Sequence, residues 1–305
     1  MMRRKNGFTL VELTIVLTIL GIIGGALVTL LIRQQRFYRG ASETLYARQG
    51  VRDALEVLAT DLRGISVEDT VRLLADSAIE IFAPIGGSVV CQGLGGSNVG
   101  LPPVSITGNT LTWLLSQPDT GDLALFYRDD AATVGNWERH RITGFGSRSL
   151  ASTCPAASGL TRDEDVVALR QGFEVSLDDP LSSGVLLGAP IRFIRRGRYS
   201  LYRASDGDWY LGYRRCHAIG SSVCGAIQPL SGPYRSYSSN PAGSGLLFEY
   251  FDSHGARLEA SSPLDLARVD ISARAESRHH IGVEGHAFTP SDSATLSIAI
   301  RNRSW

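Results

Sequence analysis

Lysine is almost missing from this chain: Lys5 is the only one, and every other one of its 30 basic residues is arginine. A Schiff-base lysine, a phosphate-loop lysine and a Ser-x-x-Lys nucleophile are therefore excluded everywhere beyond the extreme N-terminus. Net charge is missing as well, with 30 acidic side chains against 30 basic ones, so no long-range field draws the whole molecule to a polyanion. There is no Gly-x-Ser-x-Gly elbow, His-Glu-x-x-His helix or EF-hand loop, and Gly93-Leu-Gly-Gly-Ser lacks the lysine and the following helix of a phosphate loop. Cysteine is limited to four residues, none in a Cys-x-x-Cys spacing that would suggest zinc, and the histidines His279, His280 and His286 read as surface residues. These absences weigh against catalysis: the expectation is a protein that is not an enzyme, with no cofactor and no metal site.

What is present is uneven. The 305 residues are 43% hydrophobic, which excludes wholesale disorder and leaves room for two domains or for one domain with an appendage. Met1 to Gly7 read MMRRKNG, and Phe8 to Ile32 form one apolar run whose single charge is Glu12. From Leu13 to Ile32 no residue is charged, and that stretch as a helix reaches about 30 Å, enough to cross a hydrocarbon core. The run is long for a cleaved signal peptide and leads straight into RQQRFYR rather than a small-x-small cleavage site. A plain anchor does not explain Glu12, because a carboxylate within an apolar run is costly without a partner.

A short basic leader ending in glycine, then Phe8-Thr-Leu-Val-Glu12 and a long apolar helix, resembles the class III signal of type IV pilins and type II secretion pseudopilins. The resemblance implies cleavage between Gly7 and Phe8 by a prepilin peptidase and N-methylation of Phe8. It also implies that Glu12 pairs with the N-terminal amine of a neighbouring subunit during assembly, which removes two unpaired charges from lipid together. Major and minor pilins and an inner-membrane assembly platform are the partners it implies, with the leader cytoplasmic and the remainder exported. Charge alone is nearly balanced on orientation, since Arg3, Arg4 and Lys5 precede the span and Arg33, Arg36 and Arg39 follow it.

No proline occurs from Arg33 to Arg63, and Leu45, Val51, Leu55, Leu58 and Leu62 recur at helical intervals among charged residues. One continuous helix from Phe8 to Arg63 is expected, ending near Gly64 in a left-handed cap. The organisation is then a leader at 1–7, a membrane-spanning half-helix at 8–32, an amphipathic exported half at 33–63, and a β-rich head at 64–305. A short helix is expected around Glu68 to Asp76. Strands are expected at Thr110–Leu115, Leu123–Arg128, Val166–Arg170, Phe173–Leu177, Ile191–Ile194, Tyr199–Tyr202, Trp209–Tyr213, Leu246–Phe251, Leu266–Ala273 and Ala294–Ile300, with exposed loops at Gly93–Gly100 and Ser238–Gly245. The fold class is α+β, with a long N-terminal helix packed on an antiparallel sheet.

Four cysteines allow three disulfide pairings. Cys216 with Cys224 closes a short local loop most easily and leaves Cys91 with Cys154. Arg192, Arg195, Arg196, Arg198, Arg203, Arg214 and Arg215 alternate with Phe193, Tyr199, Tyr202, Trp209 and Tyr213, a mixture compatible with single-stranded DNA. The plainer reading is solvated hairpin faces with the aromatics inside. The phrases IRFIRRGRYSLYR, WYLGYRRC, LLFEYFDSHGARLE, LARVDISARAES and TLSIAIRNR also resemble PilW and J-type minor subunits. A PilW-type minor pilin near the filament tip is therefore expected, with a J-type type II secretion pseudopilin and a membrane-anchored periplasmic hydrolase as the alternatives.

Overall fold

The computed structural model describes residues 9–65, 73–106, 110–130, 133–216, 224–258, 265–277, 280–283 and 286–300. Helix α1 runs over Leu10–Arg63, 54 residues, and at about 1.5 Å per residue is roughly 80 Å long. Thr9 is its N-cap, and Phe8 lies outside the described residues. The helix stops at Gly64, but in a right-handed conformation (φ −82°, ψ −10°) rather than the left-handed one expected. Glycine is required there for space: a Cβ at Gly64 would run into the Pro84 ring.

Only the second half of α1 is covered. Ala47, Gly50, Val51, Ala54, Leu58, Ala59 and Leu62 are buried, whereas no residue in the most apolar window of the helix is. Leu45, expected on the packed face, is 63% exposed. At 100° per residue it falls on the opposite flank from Leu58, and the true seam uses alanine and glycine, which let the helix lie close to the sheet. Truncating either fully buried leucine, Leu58 or Leu62, would cost about 2 to 5 kcal/mol.

The head is built from strands β1 (Leu73–Ala75), β2 (Ala78–Val89), β3 (Gln92–Gly95), β4 (Asn98–Leu101), β5 (Trp113–Leu114), β6 (Leu123–Asp130) and β7 (Thr133–Ser149). Two short helices, α2 (Leu150–Thr153) and α3 (Asp163–Val167), come next. They precede β8 (Gln171–Leu177), β9 (Pro190–Arg203), β10 (Trp209–Arg215), β11 (Gln228–Tyr234), β12 (Leu246–Phe251), β13 (Arg268–Glu276), β14 (Ile281–Val283), β15 (His286–Phe288) and β16 (Ser291–Ala299). Fourteen of these strands form one sheet in the order β12-β13-β11-β10-β9-β6-β7-β8-β4-β3, with β16 added on β13, β2 on β9, and β1 and β5 on β2; β14 and β15 form a separate hairpin. The pairings are antiparallel. The chain is α+β, a long helix followed by a large antiparallel sheet.

Among the described residues, the two largest apolar cores share this sheet. The first joins α1 to Ile79, Ile81, Leu211, Phe248, Val269, Ile271 and Ile298. The second lies away from the helix around Val99, Phe126, Ile142, Val175, Ile191 and Phe193. The long pair β2 and β9 bridges them, in register from Ala78 opposite Ser200 to Val89 opposite Pro190, with a bulge between Pro84 and Gly86.

Several expected elements differ. Leu73–Ala75 is a strand, not part of a helix around Glu68 to Asp76, whose earlier residues lie outside the described set. Where a strand was expected at Val166–Arg170, helix α3 occupies Asp163–Val167, its first turn holding Asp163, Glu164 and Asp165 against the positive end of the helix. The Gly93–Gly100 stretch is no exposed loop but the β3–β4 hairpin, turned by Gly95 and Gly96 at φ 91° and 59°, with Val99 buried. Ser238–Gly245 is a connection with a single 3-10 turn, but Ser244 is buried beneath it.

Polar contacts fasten the second half of α1 to the head. The Tyr234 hydroxyl donates to the Gly50 carbonyl at 2.6 Å, Arg48 Nε donates to Asp292 Oδ2 at 3.3 Å, and the Tyr199 hydroxyl donates to Asp61 Oδ2. Burial pushes the Asp61 carboxyl above its ordinary range, partly offset by the Tyr199 hydrogen bond. A carboxyl raised in the folded state binds more protons there than in the unfolded chain, so its contribution is full below the ordinary aspartate range and is lost as pH rises through the folded value. Asp61→Asn keeps an acceptor for Tyr199 and should flatten the decline in stability from about pH 4 upward. Urea midpoints measured from pH 4 to 7 check this; a slope unchanged by the substitution would sink it.

Candidate functional site

The chemistry-bearing part of the sequence is the start of α1. The Glu12 amide donates to Thr9 Oγ1 at 3.3 Å, and the Thr9 amide donates to Glu12 Oε2 at 3.0 Å. Both reciprocal bonds are present, so Thr9 and Glu12 form a capping box, and the Thr9 hydroxyl adds a third contact to Oε2 at 3.1 Å. The two bonds from backbone amides each satisfy a donor that the start of a helix leaves open. The threonine of Phe8-Thr-Leu-Val-Glu12 therefore starts the helix. Its signal was legible: Thr followed three residues later by Glu ahead of an apolar run is the capping-box pattern.

This geometry starts the helix at Leu10, two residues past the expected cleavage point, and leaves the Glu12 carboxylate exposed. The helix it caps is bare through its apolar half, from Leu10 at 79% exposure to Ile32 at 45%. An apolar surface of that extent is tolerable only in lipid or against other protein chains. Gly7 and Phe8, the expected cleavage and methylation residues, lie outside the described residues.

Residues 2–28 match the prokaryotic N-terminal methylation motif. The match supports a type IV pilin-like protein, a pilin or pseudopilin whose leader is processed by prepilin peptidase and which assembles with pilins. The bare helix of this pilin-like chain fits membrane anchoring. No curated protein and no solved structure matches the chain.

In the head the cysteines form two bridges, Cys91 with Cys154 and Cys216 with Cys224. Among the described residues one group of potential metal ligands comes together, Glu80 with Cys216 and Cys224. Its two sulfurs are bonded to each other, and the Glu80 oxygens are held by Arg196 and Arg198. His280 is exposed and hydrogen-bonds Thr289, while His279 lies outside the described residues.

Four of the seven clustered arginines, Arg195, Arg196, Arg198 and Arg215, are drawn onto the carboxylates of Asp122, Asp119 and Glu80. Arg195 and Arg215 converge on Asp122, which is 2% exposed, at 2.7 and 3.0 Å. Arg215 also reaches Asp119 at 2.8 Å, and that hydrogen bond is the chief cause holding the Asp119 carboxyl below its ordinary range. The hydrogen bond to Asp122 raises Arg195 in turn, against the effect of its burial. Arg192 stacks over Trp137 at 4.7 Å, and Arg203 Nε donates to the Gly207 carbonyl at the β9–β10 turn. Phe193 and Tyr199 are buried, so neither offers a face to a nucleic-acid base. The cluster is a structural centre of the sheet, and it does not support the DNA reading.

Proposed function

We propose that this chain is a minor pilin-like subunit, of the PilW type, that takes part in type IV pilus assembly or initiation near the filament tip and acts by assembly rather than catalysis. The observation that carries the reading is the joining of a methylation-motif helix, bare over its apolar half, to a large sheet-built head. A helix exposed in this way suits a membrane before assembly and a bundle of like helices afterwards. The head, with its two apolar cores, is bulky to repeat at every position of a thin filament, which favours the tip. Two disulfides support a head exported to an oxidising compartment, the periplasm, with the leader in the cytoplasm and the span in the inner membrane. Major and minor pilins, the assembly platform and prepilin peptidase are the partners.

The test is deletion of the gene with complementation, weighing sheared surface filaments against protein secreted to the medium. Loss of pili with secretion intact is the expected result. Normal pili with exported enzymes trapped in the periplasm would move the subunit to a J-type role in type II secretion. Complementation with Glu12→Leu separates assembly from folding. Removing the capping box costs about 1 kcal/mol of a long helix, too little to unfold the head, yet incorporation into filaments should fall at least tenfold. Wild-type incorporation of that variant would overturn the role given to Glu12. An uncut bond between Gly7 and Phe8 would revive the membrane-anchored hydrolase.

A further inference from the structure

Beyond the apolar run, α1 carries a basic and aromatic segment that neither the head nor the assembly reading uses. Arg33, Arg36 and Arg39 are exposed, as are Phe37 at 72% and Tyr38 at 68%, whose rings meet edge to face with centroids 6.0 Å apart. No acidic residue occurs between Glu12 and Glu43, so this stretch of the rod has one sign of charge. The head first meets the helix at Glu43, whose Oε2 accepts from the Ser277 hydroxyl at 2.5 Å, and buries it from Ala47 onward.

The spacing matches a bilayer surface. Leu13 to Ile32 fill about 30 Å of helix, the thickness of the hydrocarbon core, which sets Arg33 at its edge. From Arg33 to Arg39 the helix rises a further 9 Å or so, close to the 5 to 8 Å or so of one headgroup layer. Residues three apart on a helix are offset by about 60°, so the three guanidiniums descend one flank as a ladder while Phe37 and Tyr38 occupy another. Guanidinium is suited to bidentate capture of phosphate, and an aromatic with a polar tip is suited to the boundary between lipid tails and headgroups.

We propose that Arg33, Arg36 and Arg39, with Phe37 and Tyr38, form a collar that binds the phosphate groups of anionic phospholipids on the exported side of the membrane and so sets the depth at which the subunit waits. The proposal rests on the membrane reading of the helix. Its occupant is argued from charge complementarity and from the continuity of the collar with the apolar span, and a neighbouring subunit's carboxylates are the competing occupant.

The test uses the full chain reconstituted into vesicles holding equal phosphatidylglycerol and phosphatidylcholine, then extracted in mild detergent for native mass spectrometry of retained lipid. Phosphatidylglycerol should be retained preferentially, and each arginine replaced in R33Q, R36Q and R39Q should lower that preference by about fivefold. The triple lysine variant keeps the charge and should retain most of it. Arg3, Arg4 and Lys5 are common to all variants and cancel in the comparison. An unchanged melting transition of the head shows that each variant is folded. A chain that co-floats with the vesicles but retains the two lipids equally, or whose preference survives the triple glutamine variant, overturns the collar and leaves the membrane reading standing. Loss of filament incorporation in that variant with unchanged lipid preference would also overturn it and assign the arginines to a neighbouring subunit. A chain that floats with no vesicle overturns the membrane reading and the collar together.

Discussion

Replacing Glu80 by leucine is expected to destabilise the head by roughly 3 to 5 kcal/mol, the range for removing one partner of a buried ion pair. Glu80 is 1% exposed, and its Oε1 accepts from Arg196 Nε at 2.6 Å while Oε2 accepts from Arg198 Nε at 2.9 Å and Nη2 at 2.7 Å. The arrangement follows from register: Glu80 on β2 stands opposite Arg198 on β9, and Phe82 opposite Arg196, so the carboxylate lies between two guanidiniums. Arg196 is buried too, at 6% exposure. The cost of the substitution is mainly that of leaving a buried cation without its carboxylate, rather than the net worth of the pair. Replacing both partners, Glu80→Leu with Arg196→Met, should therefore recover more than half of the loss. Urea unfolding at constant slope measures both variants. A single-variant loss under about 1 kcal/mol, in the range of surface pairs, would show that the site is solvated and the reading wrong.

Removing the Cys91–Cys154 bridge by Cys→Ser at both positions is expected to cost about 4 kcal/mol, from the entropy released when a closed loop with a sequence separation of 63 is opened. Removing Cys216–Cys224, with a separation of 8, should cost only about 2.5 kcal/mol on the same account. The larger bridge also ties α2 to the edge of the second core. Both of its cysteines are fully buried beside Leu150, and a Cβ at Gly100 would meet the Thr153 carbonyl. In a protein of this size the larger loss corresponds to a fall in melting temperature of about 8 to 16 °C. Equal losses from the two double variants, or a larger one from the short bridge, would contradict the loop argument. The expected difference also ties folding to location, because a head that never meets an oxidising compartment forfeits both bridges.

What the sequence makes legible is local. The leader, the span, the glutamate within it and the absence of proline to Arg63 are consecutive residues with one period, so a single helix followed directly from them. Thr9 was legible on the same grounds through the capping box. The face of α1 that meets the head was harder to read, because its seam runs through Ala47, Gly50 and Ala54, which a count of large apolar residues passes over. Strands whose ends carry turn residues, such as Trp209–Arg215 and Leu246–Phe251, stood close to where they were expected. The longest were missed or split. Pro84, Gly86 and Gly87 interrupt β2 in sequence but sit at its bulge in space, and Gly197 lies within β9 against the Tyr213 ring.

The arginines show where sequence stops. Alternation along β9 announces which residues share a face, but whether a guanidinium meets water, nucleic acid or a carboxylate depends on strands far away in the chain. Asp122 and Glu80 reach Arg195 and Arg196 across separations of 73 and 116 residues, and no local pattern encodes such a meeting. The long apolar helix and its motif are therefore properties of the sequence, since every group they need lies within a few turns of its neighbour. The two cores, the exposed flank of the rod and the neutralised arginine centre were decided by the tertiary structure, because burial and charge pairing belong to surfaces that exist only when distant strands have come into register.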